Sequence, residues 1–243
     1  MKAVVYPFHP AGTVTVPPSK SMSHRAIICA SLASGTSIIR NIAWSEDILV
    51  TLEGMKKLGA HIKRYDDYAK ITGIQSFQDI QDTNIFCNES GSTLRFFIPI
   101  FSLCKQAITF HGQGRLMQRP QSVYKEIFDR QHLSFQQDQD HIKINGQLQA
   151  GEYTVRGDIS SQFISGLLFT LPLLDKKSII HIMEPFESRS YIQLTIDMLK
   201  RFQIDVEWLD ENTIAVEGKQ HYQPCDYTIE GDFSQFAFFG VLA

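Results

Sequence analysis

At 243 residues, with 43% hydrophobic and 20% charged side chains, the chain can bury a sizeable core and carries no signature of disorder. A net charge of −3 argues against a nucleic-acid binder, so an anionic ligand would need cations gathered at one place. The cysteines, Cys29, Cys87, Cys104 and Cys225, form no CxxC pair, no signal peptide precedes Val4, and no apolar run could span a bilayer. A reduced, cytoplasmic protein with neither nucleic acid nor membrane as partner is expected.

Residues 3–6 and 13–16 read as two short β-strands around a His-Pro-Ala-Gly turn. PPSKSMSHR follows, from Pro17 to Arg25: two prolines, three serines and two cations ahead of an apolar run. Hydroxyls of this kind cap the free N–H groups of a first helical turn, and with Lys20 and Arg25 beside them they make an anion site. An ordinary serine cap with solvated basic neighbours would have the same nine residues; recurrence is what separates the two readings. A strand is predicted over 37–42. Ser45 then opens a helix with Glu46 and Asp47 in its first turn and Gly59 as its stop, before a hairpin over 61–64 and 69–72.

The pattern returns. NESGSTLRFFIPIFSL from Asn88 is again a serine- and glycine-rich start running into an apolar helix, followed by a strand over 107–110. A helix with Pro120 at its first position and a hairpin over 133–135 and 141–144 complete that copy. GDISSQFISGLLFTL from Gly157 begins a third, with a strand over 178–183, a helix over 190–201 and a hairpin over 204–208 and 213–216. GDFSQFAFFGVLA from Gly231 begins a fourth. Gly73, Gly146 and Gly218 close the three hairpins about 72 residues apart. Three α/β units closing around shared buried helices would gather their serine-led starts at one end.

Taken in order, PSKSMSHR, NESGSTLR, GRLMQRP, GDISSQF and ESRSY resemble the 5-enolpyruvylshikimate-3-phosphate synthase family, over essentially the whole chain. The resemblance is to the N-terminal half of that family. It implies an inside-out α/β barrel of three βαβαββ-type units over about 17–87, 88–156 and 157–230. Residues 1–16 and 231–243 would belong to a second, similar domain. The implied reaction moves the enolpyruvyl group of phosphoenolpyruvate to the 5-hydroxyl of shikimate 3-phosphate and releases phosphate. No cofactor or metal is implied, and the full-length enzyme is expected as a monomer.

Carried onto matching positions, Lys20 touches both substrates and is the candidate catalytic residue. Ser21, Arg25, Ser160, Ser161, Gln162, Ser188 and Tyr191 match shikimate 3-phosphate contacts. Gly91 and Arg119, with Lys20 and Gln162, match phosphoenolpyruvate contacts. His24 reads as solvated and Arg95 as structural. Glu89, Ser92 and Phe96 depart from common family residues, and Glu89 would put an acid near an anion pocket. The family's aspartate base and further cations have no counterpart here, so this chain alone is expected to be inactive. A free-standing anion-binding module is the alternative. The sister enolpyruvyl transferase acting on a UDP-sugar ranks low, because it lacks the PSKSxSHR opening. Gly112-x-Gly114 lacks the third glycine of a dinucleotide site, and no HExxH suggests a metal.

Overall fold

Three helices that start on serine organise the fold, and each is apolar on nearly every side. The computed structural model describes residues 11–77 and 80–242. In α1 (Lys20–Leu32) eleven of thirteen residues are buried, and nine of ten are buried in α5 (Ser161–Thr170). In α3 (Gly91–Phe101) the buried residues include Leu94, Phe96, Phe97, Ile98, Ile100 and Phe101. Such helices can only be a core, and each buried aliphatic or aromatic side chain contributes about 1.5–3 kcal/mol. Ser19, Ser90 and Ser160 are the three N-caps, accepting from the backbone N–H of Met22, Thr93 and Gln162.

Around this core lie three four-stranded sheets and a second set of helices. The first unit contains β1 (Thr36–Arg40), α2 (Glu46–Lys57), β2 (His61–Arg64) and β3 (Tyr68–Thr72). The second contains β4 (Asn84–Phe86), β5 (Ile108–His111), α4 (Ser122–Arg130), β6 (Ser134–Gln137) and β7 (His141–Asn145). The third contains β8 (Glu152–Arg156), β9 (Ser178–Met183), α6 (Arg189–Arg201), β10 (Val206–Trp208) and β11 (Thr213–Val216). β12 (Tyr227–Thr228) and α7 (Phe233–Leu242) follow.

Each sheet has the same plan: a strand from before the core helix pairs parallel with the strand after it, and a hairpin adds two antiparallel strands. In the first sheet the leading strand is β12, which reaches β1 from the far end of the chain, Ile39 facing Tyr227. The three units therefore close as a ring.

Hydroxyls stitch the helices together. Thr51 on α2 meets Thr93 on α3 at 2.7 Å, and Thr195 on α6 meets Ser165 on α5 at 2.8 Å. The Tyr124 hydroxyl on α4 donates to Arg95 O on α3 and Phe163 O on α5. The repeating glycines also have causes. A Cβ on Gly73 would lie 2.2 Å from Ala33 O, and one on Gly218 would lie 2.5 Å from Leu174 O.

Some expectations change. Residues 13–16 form no strand, their neighbourhood making only a Pro18–Gly231 bridge, and residues 3–6 lie outside the described residues. Pro120 is not the first helical residue: Gln121 is the N-cap and α4 starts at Ser122. Ser45 occupies an N-cap position without making the side-chain bond. Sheet pairing assigns β4 to the second sheet and β8 to the third, so it divides the chain slightly ahead of the helix starts.

Candidate functional site

The N-termini of α1, α5 and α6 open onto a cleft of about 460 Å3, which α3 also borders. Lys20, Ser21 and Arg25 line it from α1; Ser160, Ser161 and Gln162 from α5; Ser188 and Tyr191 from α6. Gly91 and Arg119 stand at its edge: a Cβ on Gly91 would be 3.1 Å from Arg119 Nη1 and 3.9 Å from Gln162 Oε1. All ten sequence-derived positions thus belong to one region, assembled from residues up to 171 apart.

Arg25 is the electrostatic centre. It is 3% exposed, and its four hydrogen bonds all go to neutral acceptors. Nε donates to Thr195 Oγ1 at 2.8 Å, Nη1 to Ser21 O and Oγ at 2.9 and 2.7 Å, and Nη2 to Tyr191 O at 3.1 Å. Burial pushes its pKa down to about 10. A buried cation held only by neutral groups is costly until an anion arrives. Phe96 packs beneath the guanidinium, 5.5 Å from ring centroid to Cζ, so the departure at this position gives Arg25 an aromatic floor.

Lys20 bonds Asp47 Oδ2 at 2.7 Å, and more than half of its side-chain surface remains exposed. That places the ammonium at the cleft mouth, steered by the first turn of α2. Such an exposed pair adds about 1 kcal/mol or less to stability. Ser160 Oγ uses a lone pair on its cap, and that bond does not engage its hydroxyl proton.

Arg95, read as structural, lies beside the site. Its Nη1 donates to Gln162 Oε1 at 2.7 Å, its Cζ lies 4.8 Å over the Phe163 ring, and its Nε is buried without a hydrogen-bond partner among the described residues. Burial and the nearby Arg119 lower its pKa, while Tyr124 raises it. Gln162 in turn donates to Ser92 Oγ at 2.8 Å. Glu89 does not oppose these cations. Its carboxylate lies against Gly114, where an added Cβ would be 2.3 Å from Oε1, and the atoms nearest Gly91 belong to Arg119, Arg95 and Gln162.

His24 corrects the sequence reading outright. It is 1% exposed rather than solvated, and it lines the cleft with Ser92, Phe96 and Ile159. The apolar run after Arg25 signals that α1 is buried all round, which was the available clue. Among the described residues no group of three or more His, Cys, Asp or Glu could hold a metal ion, and no helix is long and apolar enough to cross a membrane.

Comparison with known proteins identifies the family and the fold. The family model described as EPSP synthase (3-phosphoshikimate 1-carboxyvinyltransferase) matches residues 9–243. A 3-phosphoshikimate 1-carboxyvinyltransferase of Clostridium perfringens is 47% identical over 240 residues, covering 98% of this chain and 57% of that protein. Another from Clostridioides difficile is 43% identical, covering 97% and 56% respectively. The fold matches an EPSP synthase structure from Acinetobacter baumannii with a TM-score of 0.80 at 24% identity, over 95% of this chain and 52% of that one. The chain spans just over half the length of the curated relatives it matches. With a family match along nearly its whole length, this chain belongs to the EPSP synthase family.

Proposed function

We propose that the chain forms the shikimate 3-phosphate side of an enolpyruvyl transferase, in which phosphoenolpyruvate gives its enolpyruvyl group to the 5-hydroxyl and phosphate leaves. The observation that carries this is Arg25, buried without a carboxylate partner among the described residues, at a cleft fed by serine-capped helix starts. Shikimate 3-phosphate has two anionic ends, and the cleft has two poles. Arg25 and Ser21 on α1 suit the planar carboxylate. Ser160, Ser161 and Ser188, at the starts of α5 and α6, suit the phosphate. Tyr191, 45% exposed, closes over the ring.

Phosphoenolpyruvate takes the α3 side. Gly91 lets the backbone approach where a side chain would collide, and Arg119 with Gln162 supplies donors. Lys20 lies between the two ligands. Its charge stabilises the phosphate and carboxylate of the tetrahedral intermediate, the kind of fixed electrostatic contact that accounts for most such rate enhancement. The proton transfers of addition and elimination need an acid and a base, and those groups come from the length that the relatives have and this chain does not. Under this proposal α7, with Phe233 and Phe238 79% and 71% exposed, packs against that remainder. In this reading the protein works in the cytoplasm, without a cofactor.

Titration calorimetry with shikimate 3-phosphate and a phosphate-release assay test the proposal on the chain itself. Weak binding with no turnover is expected, because an open half-site neither excludes water nor completes the set of groups. Turnover by the chain alone would contradict the claim that it lacks essential groups. Absence of binding at millimolar ligand would show that these helix starts need the rest of the enzyme.

A further inference from the structure

None of the roles above uses His24, yet it is the most constrained polar group at the cleft. Its Nδ1 lies 2.8 Å from Thr51 Oγ1 on α2. Thr51 Oγ1 lies 2.7 Å from Thr93 Oγ1 on α3, and Thr93 Oγ1 lies 2.7 Å from Ser90 Oγ, the N-cap of α3. The other ring nitrogen, Nε2, is buried and has no hydrogen-bond partner among the described residues.

The far end of this series sets its direction. Ser90 Oγ accepts from the Thr93 backbone N–H and from the Thr93 hydroxyl. Thr93 Oγ1, its proton committed, is left to accept, and Thr51 is the donor 2.7 Å away. Thr51 then offers His24 a lone pair, so Nδ1 must carry the hydrogen. The competing acceptor, Asp47 O, is farther from both hydroxyls, at 3.1 and 3.4 Å. Nε2 is left as a bare lone pair, the less costly kind of buried orphan.

We propose that His24, as its Nδ1–H tautomer, is a positioning residue that drives a one-way hydroxyl chain through Thr51 and Thr93 to Ser90 and fixes the starts of α1, α2 and α3 to one another. The start of α2 carries Asp47, which holds Lys20, and the start of α3 carries Gly91 and Ser92. His24 therefore sets the distance between Lys20 and the Gly91 backbone. On the other side of α1, Arg25 Nε donates to Thr195 on α6, which meets Ser165 on α5, but that contact belongs to the ligand-binding cation rather than to this chain of hydroxyls. The charged groups facing His24 are Lys20 and Arg25 on α1 and Asp47 on α2, while α3 presents Thr93 and Phe96. Burial outweighs Asp47 and keeps the imidazole neutral at working pH. Only the ligand named below rests on the proposed function.

Amide isosteres separate the two ring nitrogens. Asparagine places a polar atom where Nδ1 sits, and glutamine where Nε2 sits. In the 15N-labelled chain, His24 is expected to show the Nδ1–H tautomer and no titration between pH 8 and 5. His24→Asn should keep parent rates of backbone hydrogen exchange at the starts of α1, α2 and α3. His24→Gln should raise them at least tenfold there and leave α4 unchanged. Affinity for shikimate 3-phosphate should follow the same order, within threefold for His24→Asn and down tenfold or more for His24→Gln.

An Nε2–H tautomer, or titration near the ordinary histidine value, would overturn the proposal. So would a glutamine variant that keeps slow exchange while asparagine loses it, which would assign the role to Nε2. Should His24→Gln fail to fold, the tautomer and the asparagine variant still decide. If the parent chain does not bind shikimate 3-phosphate, the proposed function fails for this chain, and tautomer and exchange still decide the role of His24.

Discussion

Replacing Arg25 with methionine separates binding from stability. The side chain makes four hydrogen bonds, but its partners keep others. Thr195 Oγ1 retains Ser165 and donates to Tyr191 O, so both of those acceptors stay satisfied, and Ser21 is only half-buried. The pKa near 10, well below that of a free guanidinium, means that burial disfavours the charged form by about 3 kcal/mol. Methionine removes that cost, fills the stem volume, and sets a sulfur against Phe96. The melting midpoint of Arg25→Met should therefore stay within about 3 °C of the parent or rise. Binding should move the other way. Two hydrogen bonds from a guanidinium to a carboxylate are each worth about 1.5–3 kcal/mol, so shikimate 3-phosphate affinity should fall by at least about 10². Thermal melts and titration calorimetry on the same samples measure both. A large drop in midpoint with affinity intact would refute the reasoning and make Arg25 a structural residue.

Lys20→Met, in an enzyme complete with the remaining length, should fold normally and lose roughly 10² or more in turnover; near-normal turnover would remove Lys20 from the chemistry. Replacing Ser160 and Ser161 together with alanine should weaken shikimate 3-phosphate and spare phosphoenolpyruvate, with about 1 kcal/mol of stability lost because Ser160 is also a cap. Equal weakening of both ligands, measured by calorimetry, would argue against that assignment. For His24 the folded pKa is lowered from 6.5 to about 3, so the unfolded chain alone takes up its proton as pH falls below 6.5. The stabilisation is present above that pH and drains away toward pH 3, by about 2 kcal/mol between pH 7 and 5. Urea unfolding should show this loss in the parent and not in His24→Asn. Gly73→Ala should cost about 3 kcal/mol or more, since its Cβ would meet the Ala33 carbonyl at 2.2 Å; a small shift in urea midpoint would show that the backbone yields there.

The repeat was legible because each unit carries two independent signals, a serine-led apolar start and a glycine-closed hairpin. Strands such as β9, predicted over 178–183, fell where expected, since Ser178–Met183 alternates buried and half-buried positions. The leading strands β4, β8 and β12 were not legible. They have three, five and two residues, and each exists because a later or distant strand pairs with it. Tyr227 and Thr228 carry no local sign that their partner is Ile39–Arg40. At the site, residue type singled out Lys20, Arg25 and the serines, whose chemistry suits anions, and the fold gathers them at one cleft. His24 was misread for the opposite reason. A histidine beside an arginine looks solvated in one dimension, and only helix packing shows that both point inward toward hydroxyls. The sequence likewise could not show that Glu89 turns toward Gly114, because that escape depends on a loop 25 residues away.

The serine-led helix starts and Arg25 are proposed to hold one ligand with two anionic ends. A structure of the chain with shikimate 3-phosphate tests it most directly. The phosphate should lie within hydrogen-bonding distance of Ser160 and Ser161, and the carboxylate on the Arg25 and Ser21 side with the ring beneath Tyr191. A ligand lodged away from this cleft, or lying in it with the phosphate on Arg25 and the carboxylate on the α5 serines, would contradict it.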